Sequence, residues 1–334
     1  MSSRAFVFII PVIIIAIFWA MAKIEYRNNN DPTRKGYFER NGKVLGIAFI
    51  VLVAFWTLFL VGLPYLYMIV ESFHPQLPPS KRGGPDDILT IAQYQSFVLS
   101  KHTEGINWLH ISSLGFTIFV SIVVTALNFC ICYPLAYYMA QAGAPQKVRL
   151  LMLCLIVPYW VNEILRAFSL RLLLASKGLI NQVLMWSGFT DVPIDFLGNN
   201  TGLYVGLSYA YLLVMMFPLY NAIESLDKNQ IEAARDLGAP WWRIHKDVVI
   251  PYAKPGIASG CTMVFMLSAG SLAAPQFLGG PRMLWFTAII YDFFFQNFNW
   301  ARGAAYAFIL LAVCIALVML LLRLFKVSLG ETIR

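Results

Sequence analysis

The chain has 334 residues, of which 59% are hydrophobic and 13% charged, and its formal net charge is +8. Soluble domains carry about 25% charged residues, so this composition excludes a soluble globular protein. Several apolar runs are about 20 residues long, the length that a helix needs to cross a hydrocarbon core of about 30 Å. The basic residues lie between these runs rather than on one face, which argues against nucleic-acid binding.

The sequence predicts an all-α polytopic membrane protein with seven spans, because backbone groups in hydrocarbon must find their partners within a helix. Four prolines fall inside the runs, at Pro64, Pro134, Pro158 and Pro218, and we expect them to kink the helices without ending them. In chain order the predicted spans are residues 5–22, 44–70, 111–140, 148–174, 202–223, 256–277 and 303–325.

The distribution of Lys and Arg predicts the orientation of the spans. One set of connections, which includes segments 141–147 and 224–255, carries more than twice as many basic residues as the alternate set. The more basic set faces the cytoplasm, so seven spans place the N-terminus outside and the C-terminus inside. Ala20-Met21-Ala22 resembles a signal-peptidase site, but the basic loop after it favours an uncleaved first helix. A cleaved or hairpin-like segment is the alternative.

The connections carry no signature of catalysis or metal binding. The outer segment 71–110 is rich in proline and glycine and is predicted to contain one short amphipathic helix near residues 88–99. Its histidines, His74, His102 and His110, lack metal-ligand spacing. The chain shows no phosphate-binding loop, nucleophile elbow or zinc-protease motif, and its five cysteines all lie in apolar runs, as packing residues do. The sequence therefore predicts that this chain is not an enzyme and binds no metal.

Segment 224–255 predicts a short helix–turn–helix along the cytoplasmic membrane face. Residues 231–237 are good helix formers, and Gly238 is placed to end that helix in a left-handed cap. Pro240 suits the first turn of a second helix over residues 241–249.

The second helix of this segment is expected to stop before Pro251 and Pro255. Its adjacent tryptophans, Trp241 and Trp242, have two interpretations. They anchor at the level of the lipid headgroups, or they fill a groove on a soluble partner.

The motif Glu232-Ala233-Ala234, followed by Gly238 and later Pro251, resembles the EAA loop of bacterial ABC-importer permeases. The motif also lies between the third-last and second-last spans, as it does in that family. Further segments are similar to the polyamine (spermidine/putrescine) permease subfamily, and within it to the first permease subunit. These segments are residues 155–166, 176–181, 224–228, 278–280 and 299–305.

This resemblance implies a type I importer permease fold, with six core transmembrane helices plus one extra N-terminal helix. It places the extra helix and its basic loop in residues 1–43 and the permease domain in residues 44–334, with a core at about 111–325. The implied location is the bacterial inner membrane. One departure is His245, at a position where the family usually has an aromatic residue such as Phe.

The resemblance also implies the partners. These are a cytoplasmic ABC ATPase dimer, a second homologous permease and a periplasmic solute-binding protein. ATP would be hydrolysed by the ATPase subunits, and this chain would bind no cofactor itself. The implied ATPase-coupling residues are Glu232, Ala233, Ala234, Gly238, Trp241, Trp242 and Pro251.

Two other classes of protein account for less of the sequence. An ion-coupled secondary transporter would explain the spans, but the chain shows no internal repeat and such a protein has no use for the Glu-Ala-Ala loop. A structural membrane protein would leave the intramembrane charges Glu163, Arg166 and Arg171 as an unexplained cost.

Glu163 is the candidate for substrate recognition. It lies 15 residues into the predicted 148–174 span, which is about 22 Å from the cytoplasmic start by helical rise. A carboxylate at that depth should face the protein interior or a watery cavity. Together with Tyr159, Trp160 and Asn162 it is predicted to line the passage and attract a cation. The alternative interpretation is an internal ion pair with Arg166.

Gln276, Asp292 and Tyr291 are predicted to contribute from the outer ends of the last two spans. The predicted substrate is a small amine-containing solute, polyamine-like in the first instance. Gln276 is neutral where the resemblance leads us to expect an acid. An opine, an amino-acid derivative or a quaternary amine is therefore the alternative substrate.

Overall fold

The computed structural model describes residues 43–76, 88–100, 105–280 and 284–326. The predicted first span and the basic loop after it lie outside the described residues, so the extra N-terminal helix stays a prediction. By its internal contacts the chain divides into two units, Met1–Val70 and Glu71–Arg334.

The described residues are almost wholly helical. One short antiparallel pair, β1 Leu99–Ser100 and β2 Gly105–Ile106, joins Leu99 to Ile106 in the outer segment. Each of three π-helical segments directly follows an α-helix. These segments are Leu58–Gly62, Tyr138–Ala142 and His245–Val249. In chain order the α-helices are α1 Lys43–Thr57, α2 Leu63–Ser72, α3 Ala92–Val98, α4 Trp108–Tyr137, α5 Pro145–Tyr159, α6 Glu163–Leu174, α7 Leu179–Trp186, α8 Thr201–Glu224, α9 Lys228–Asp236, α10 Trp241–Ile244, α11 Ile250–Gly270, α12 Ala273–Leu278, α13 Phe286–Phe295 and α14 Trp300–Phe325.

Six of the predicted spans correspond to helical stretches in the described residues. Five are single helices that are long and apolar enough to cross a membrane, and one bent helix pair makes a sixth if it is counted as one span. The single spans are Gly46–Ser72, Trp108–Ala142, Thr201–Glu224, Trp241–Gly270 and Trp300–Phe325, and the bent pair is Pro145–Tyr159 with Glu163–Trp186.

The prediction of one continuous helix over residues 148–174 is wrong. Helix α5 ends at Tyr159, directly after Pro158, and the chain bends by 95° before the next helix. Asn162 then caps α6, because its side chain accepts a hydrogen bond from the Ile164 N–H at 2.9 Å. Pro218, by contrast, lies inside the unbroken helix α8.

The predicted stop before Pro251 and Pro255 is also wrong. Helix α10, the π segment His245–Val249 and α11 form one continuous span, Trp241–Gly270. Within the π segment the hydrogen bonds reach back five residues, and the Ile250 N–H bonds to the His245 carbonyl. Pro251 has no N–H to donate, but it follows directly after this change in the helical hydrogen-bond register. The helix therefore continues through Pro251.

Helices α4, α8 and α11 pack against one another and form the centre of the larger unit. Glycines on α11 permit the close approach to α8. A Cβ atom at Gly256 would lie 2.5 Å from the Pro218 carbonyl oxygen, so only glycine fits this contact. The backbones of α8 and α11 are thus in direct contact at this level.

A second buried cluster lies in the same unit, where α3, α11, α13 and α14 meet. Tyr306 is fully buried there and stacks on Phe286 with a ring distance of 5.8 Å. The observed helix α3 is shorter than the helix predicted near residues 88–99, because residues 88–91 are not helical and Leu99 begins strand β1.

Candidate transport site and coupling segment

A cavity of about 570 Å³ lies between α6, α8, α11 and α12. Its polar lining residues are Glu163, Tyr211, Ser271 and Gln276, and the remaining lining side chains are apolar. Two residues predicted from the sequence, Glu163 and Gln276, therefore meet in one cavity. Among the residues that the structure describes, Glu163 is the only charged one that lines the cavity.

Glu163 is held at the N-terminus of α6. As the first residue of that helix, it lies at the end where the helix dipole stabilises a negative charge. Its Oε1 accepts hydrogen bonds from the Tyr211 hydroxyl at 3.1 Å and from the Ser271 hydroxyl at 3.3 Å. Two neutral hydroxyl donors therefore orient the carboxylate in the cavity.

The alternative of an ion pair between Glu163 and Arg166 is not what the structure shows. The Arg166 guanidinium donates to the Ala210 carbonyl at 3.4 Å and lies over the Tyr159 ring, 5.2 Å from its centroid. It also lines a separate, smaller cavity of about 130 Å³, together with Tyr159. Glu163 and Arg166 thus face different surroundings.

Ser271 directly follows α11 in an extended conformation, and Leu272 then precedes α12. Its carbonyl accepts two hydrogen bonds, from Trp285 Nε1 at 2.8 Å and from Thr287 Oγ1 at 2.7 Å. Trp285 is almost completely buried. These bonds hold the Ser271 backbone in place while its hydroxyl donates to Glu163.

The other predicted pathway residues lie outside the main cavity. Trp160 is 81% exposed, and the side chain of Asn162 serves as the cap of α6. Asp292 and Tyr291 are on α13, and neither is among the residues that line the cavity. Tyr291 instead packs against Phe295, with ring centroids 4.7 Å apart.

Tyr211 and Ser271 were not predicted from the sequence, although both bond to Glu163. Tyr211 lies in an apolar run that also contains other tyrosines, so nothing in the sequence singles it out. Ser271 had a weak signal, because it follows Gly270 and precedes Pro275 inside an apolar run. Such a cluster is typical of a break in a span.

We call segment 224–255 the coupling segment, after its predicted role. Its first helix, α9, ends in the left-handed cap predicted at Gly238. The φ angle of Gly238 is +77°. Its N–H bonds to the Arg235 carbonyl at 2.9 Å, and the Ala239 N–H bonds to the Ala234 carbonyl at 3.1 Å. This pair of bonds is the Schellman motif. The helix begins at Lys228, three residues before the predicted start, where the Asp227 side chain caps it.

The coupling segment presents one buried face and one exposed face. Ile231 and Ile244 are both 5% exposed and pack into the main core. Leu237, Trp241 and Trp242 are 88%, 70% and 55% exposed, and they form an apolar tip. Glu232, Ala233 and Pro251 are also exposed, whereas Ala234 is partly buried. Exposed apolar side chains beside a buried anchor fit both interpretations of the tryptophans, an anchor among the lipid headgroups and a contact surface for another protein.

The family of binding-protein-dependent transport system inner membrane components matches residues 132–330. The chain belongs to this family. It is a multi-pass inner-membrane permease subunit of a binding-protein-dependent ABC importer, and it is a transport subunit rather than an enzyme. The family predicted from the Glu-Ala-Ala loop is confirmed.

Several relatives resemble the chain, and two of those described here do so over most of its length. The spermidine/putrescine transport system permease protein PotB of Escherichia coli (strain K12) is 33% identical over 257 residues, covering 77% of this chain and 89% of that protein. PotB of Haemophilus influenzae is 30% identical over 256 residues, covering 77% and 85%. The inner membrane ABC transporter permease protein YdcU of Escherichia coli (strain K12) is 30% identical over 176 residues, covering 49% and 56%.

The fold is similar to that of a bacterial ABC transporter involved in the import of the acidic polysaccharide alginate. The TM-score is 0.66 at 15% identity, and the match covers 84% of this chain and 95% of that chain. A crystal structure of the alginate transporter in complex with its alginate pentasaccharide-bound periplasmic protein gives a TM-score of 0.65 at 16% identity, covering 85% and 96%. The predicted importer-permease fold is confirmed.

Proposed function

We propose that this permease imports small organic amines of the polyamine type, and that Glu163 binds an ammonium group on the way through the membrane. The observation that carries the proposal is the cavity in which the Glu163 carboxylate faces mainly apolar walls. The names of the relatives, which are spermidine/putrescine permeases, support the same substrate class.

The chemistry of the cavity suits a protonated amine with a methylene chain. The carboxylate supplies the countercharge, and the Tyr211 ring supplies an aromatic surface of the kind that attracts cations. The amide oxygen of Gln276 is available to accept an N–H hydrogen bond. The apolar lining of Met266, Leu267 and other side chains suits the methylene groups. The volume of about 570 Å³ is in the range of small-molecule sites.

We propose that the apolar tip of the coupling segment, Leu237, Trp241 and Trp242, docks on a cytoplasmic ABC ATPase dimer. The ATPase would bind and hydrolyse ATP, and this chain would bind no cofactor. This assignment places the C-terminus in the cytoplasm and, with an uncleaved first helix, the N-terminus outside. The exposure of the tip beside the buried Ile231 and Ile244 supports this docking.

We further propose that a second, homologous permease completes the membrane core. Native mass spectrometry of the purified complex should show one copy of this chain with one copy of the second permease. A core made of two copies of this chain would contradict the heterodimer.

The proposed function is tested by uptake of labelled spermidine and putrescine into proteoliposomes that contain the complete complex and its binding protein. Glu163→Gln keeps the size of the side chain and removes its charge. We expect uptake to fall at least about tenfold, since hydrogen bonds and contacts that involve a full charge are among the strongest. Asp292→Asn is the matched control, because it removes a carboxylate that does not line the cavity.

Equal uptake by Glu163→Gln and the unaltered complex would contradict the role of the carboxylate. A binding protein that captures only anions or neutral sugars would contradict the amine substrate and leave the importer family unchanged.

A further inference from the structure

His245 occupies the junction between the coupling segment and the long helix that enters the membrane. It is the first residue of the π segment His245–Val249, and it is 6% exposed. Three aromatic rings surround the imidazole. The ring centroids of Tyr137 and Trp241 are each 4.3 Å away, and that of Tyr133 is 5.7 Å away.

The imidazole makes one hydrogen bond in this aromatic cage. Its Nδ1 lies 2.7 Å from the hydroxyl oxygen of Tyr133 on α4. Its Nε2 is buried and has no hydrogen-bond partner among the described residues. An unpaired buried polar atom costs free energy that an apolar ring of similar size would avoid. Packing alone therefore does not explain a histidine at this position, and the bond to Tyr133 is the feature that it adds.

This bond adds a polar link between the coupling segment and α4, which also contacts the imidazole through the Tyr137 ring. Trp241–Gly270 is one unbroken helix, and by helical rise His245 is about 6 Å from its cytoplasmic end and about 38 Å from its outer end. Tyr133 lies on α4, which packs against both α8 and α11 and also bonds to α8 through Cys132 and the Leu212 carbonyl. The hydrogen bond thus fixes the long helix near one end to a braced neighbour.

We propose that the His245–Tyr133 hydrogen bond is the pivot about which the Trp241–Gly270 helix tilts when the ATPase displaces the coupling tip. A displacement on the short side of the pivot becomes a displacement several times larger on the long side, where Ser271 bonds to Glu163. His245 is a positioning residue, since it touches no substrate and acts through the helix. The inference rests on the proposed docking of the ATPase at the coupling tip.

The test measures uptake and ATP hydrolysis together in proteoliposomes that contain the complete complex. In Tyr133→Phe and in His245→Phe we expect uptake per ATP hydrolysed to fall about two- to tenfold, the factor that one hydrogen bond supplies. Tyr137→Phe is the matched control, because Tyr137 contacts the imidazole through its ring. His245→Asn places an amide near the position of Nδ1. It should restore part of the uptake per ATP hydrolysed that is lost in His245→Phe.

The double variant Tyr133→Phe with His245→Phe separates a pivot from a bond that only satisfies two buried groups. Removing both partners together is nearly neutral for stability. A pivot predicts that the double variant stays as poorly coupled as the single ones. If the double variant, or Tyr133→Phe alone, takes up as much substrate per ATP hydrolysed as the unaltered complex, the pivot is contradicted. Failure of the proposed substrate would appear differently, as an unaltered complex that hydrolyses ATP without taking up spermidine.

Discussion

Two stretches of this permease contain prolines within apolar sequence and fold differently. The pair α5 and α6 bends by 95°, whereas the Trp241–Gly270 helix runs unbroken. In the first stretch Asn162 caps a new helix shortly after Pro158. In the second stretch a π segment changes the hydrogen-bond register before Pro251. A proline thus does not decide by itself whether a span breaks, because a neighbouring cap or wide turn decides the outcome.

Under the proposed function, the two stretches have different roles in transport. The bend exposes a helix N-terminus in the membrane and places Glu163 there, in the cavity. The unbroken helix connects the exposed coupling tip to Ser271, which bonds to that same carboxylate. A change at the tip should therefore affect energy coupling, and a change at the bend should affect substrate recognition.

The largest expected effect is that of Gly238→Val, three residues before the start of the Trp241–Gly270 helix. Valine must adopt the φ of +77° that Gly238 has, which costs at least about 1–2 kcal/mol and more for a β-branched residue. We expect the complex to assemble while uptake and binding-protein-stimulated ATP hydrolysis fall at least about tenfold. Both activities are measured in proteoliposomes after the amount of assembled complex is determined.

Gly238→Asn is the control, because asparagine tolerates the left-handed conformation. It should retain most of the activity. Normal transport by Gly238→Val at normal expression would show that the conformation of this turn is not needed for coupling.

A smaller effect is expected for Ser271→Ala, directly after the end of the Trp241–Gly270 helix. The substitution removes one donor to Glu163 but keeps the carbonyl that Trp285 and Thr287 bond. The concentration of substrate needed for half-maximal uptake should rise about two- to tenfold. Ser268→Ala is the control, since the hydroxyl of Ser268 bonds only within its own helix, to the Phe265 carbonyl. If both variants behave alike, Ser271 has no particular role in the cavity.

Asn162→Ala tests the cap that creates the bend. Loss of an N-cap side chain typically costs about 1 kcal/mol, so the thermal unfolding midpoint of the purified complex should fall slightly. Uptake should fall less than in Ser271→Ala, because the side chain of Asn162 does not line the cavity. Asn162→Asp retains the capping oxygen and should unfold at the original temperature. An equal loss of stability in both variants would mean that the cap is not what holds the bend.

The smallest effect is expected for removal of the N-terminal residues up to about Asn41. These residues precede the family match at 132–330. Binding-protein-stimulated ATP hydrolysis by the assembled, truncated complex should equal that of the full-length complex. Loss of hydrolysis despite full assembly would assign this region a part in coupling.

The sequence was sufficient to locate the spans in the described residues and the first helix of the coupling segment, because both depend on local patterns. The lengths of the apolar runs identified the spanning helices in the described residues. The position of Gly238 after a run of helix formers predicted its left-handed conformation, since few other residues adopt it readily.

The sequence was not sufficient to predict the bend or the donors to Glu163. Pro158 and Pro218 look alike in their apolar runs, yet only the first is followed by a residue that caps a new helix. Tyr211 and Ser271 reach Glu163 from positions 48 and 108 residues along the chain. Contacts over such separations depend on how helices pack, and no local pattern encodes them.

The contact between Gly256 and Pro218 has a consequence for the release of substrate. Because no side chain separates α11 from α8 at this level, the two helices resist sliding past each other. Tyr211 on α8 and Ser271 directly after α11 approach Glu163 from these two helices, whereas Glu163 itself belongs to α6. In the proposed pivoting motion the long helix tilts without sliding, its tilt withdraws the Ser271 hydroxyl from Glu163, and the carboxylate would then exchange the ammonium group of the proposed substrate for water.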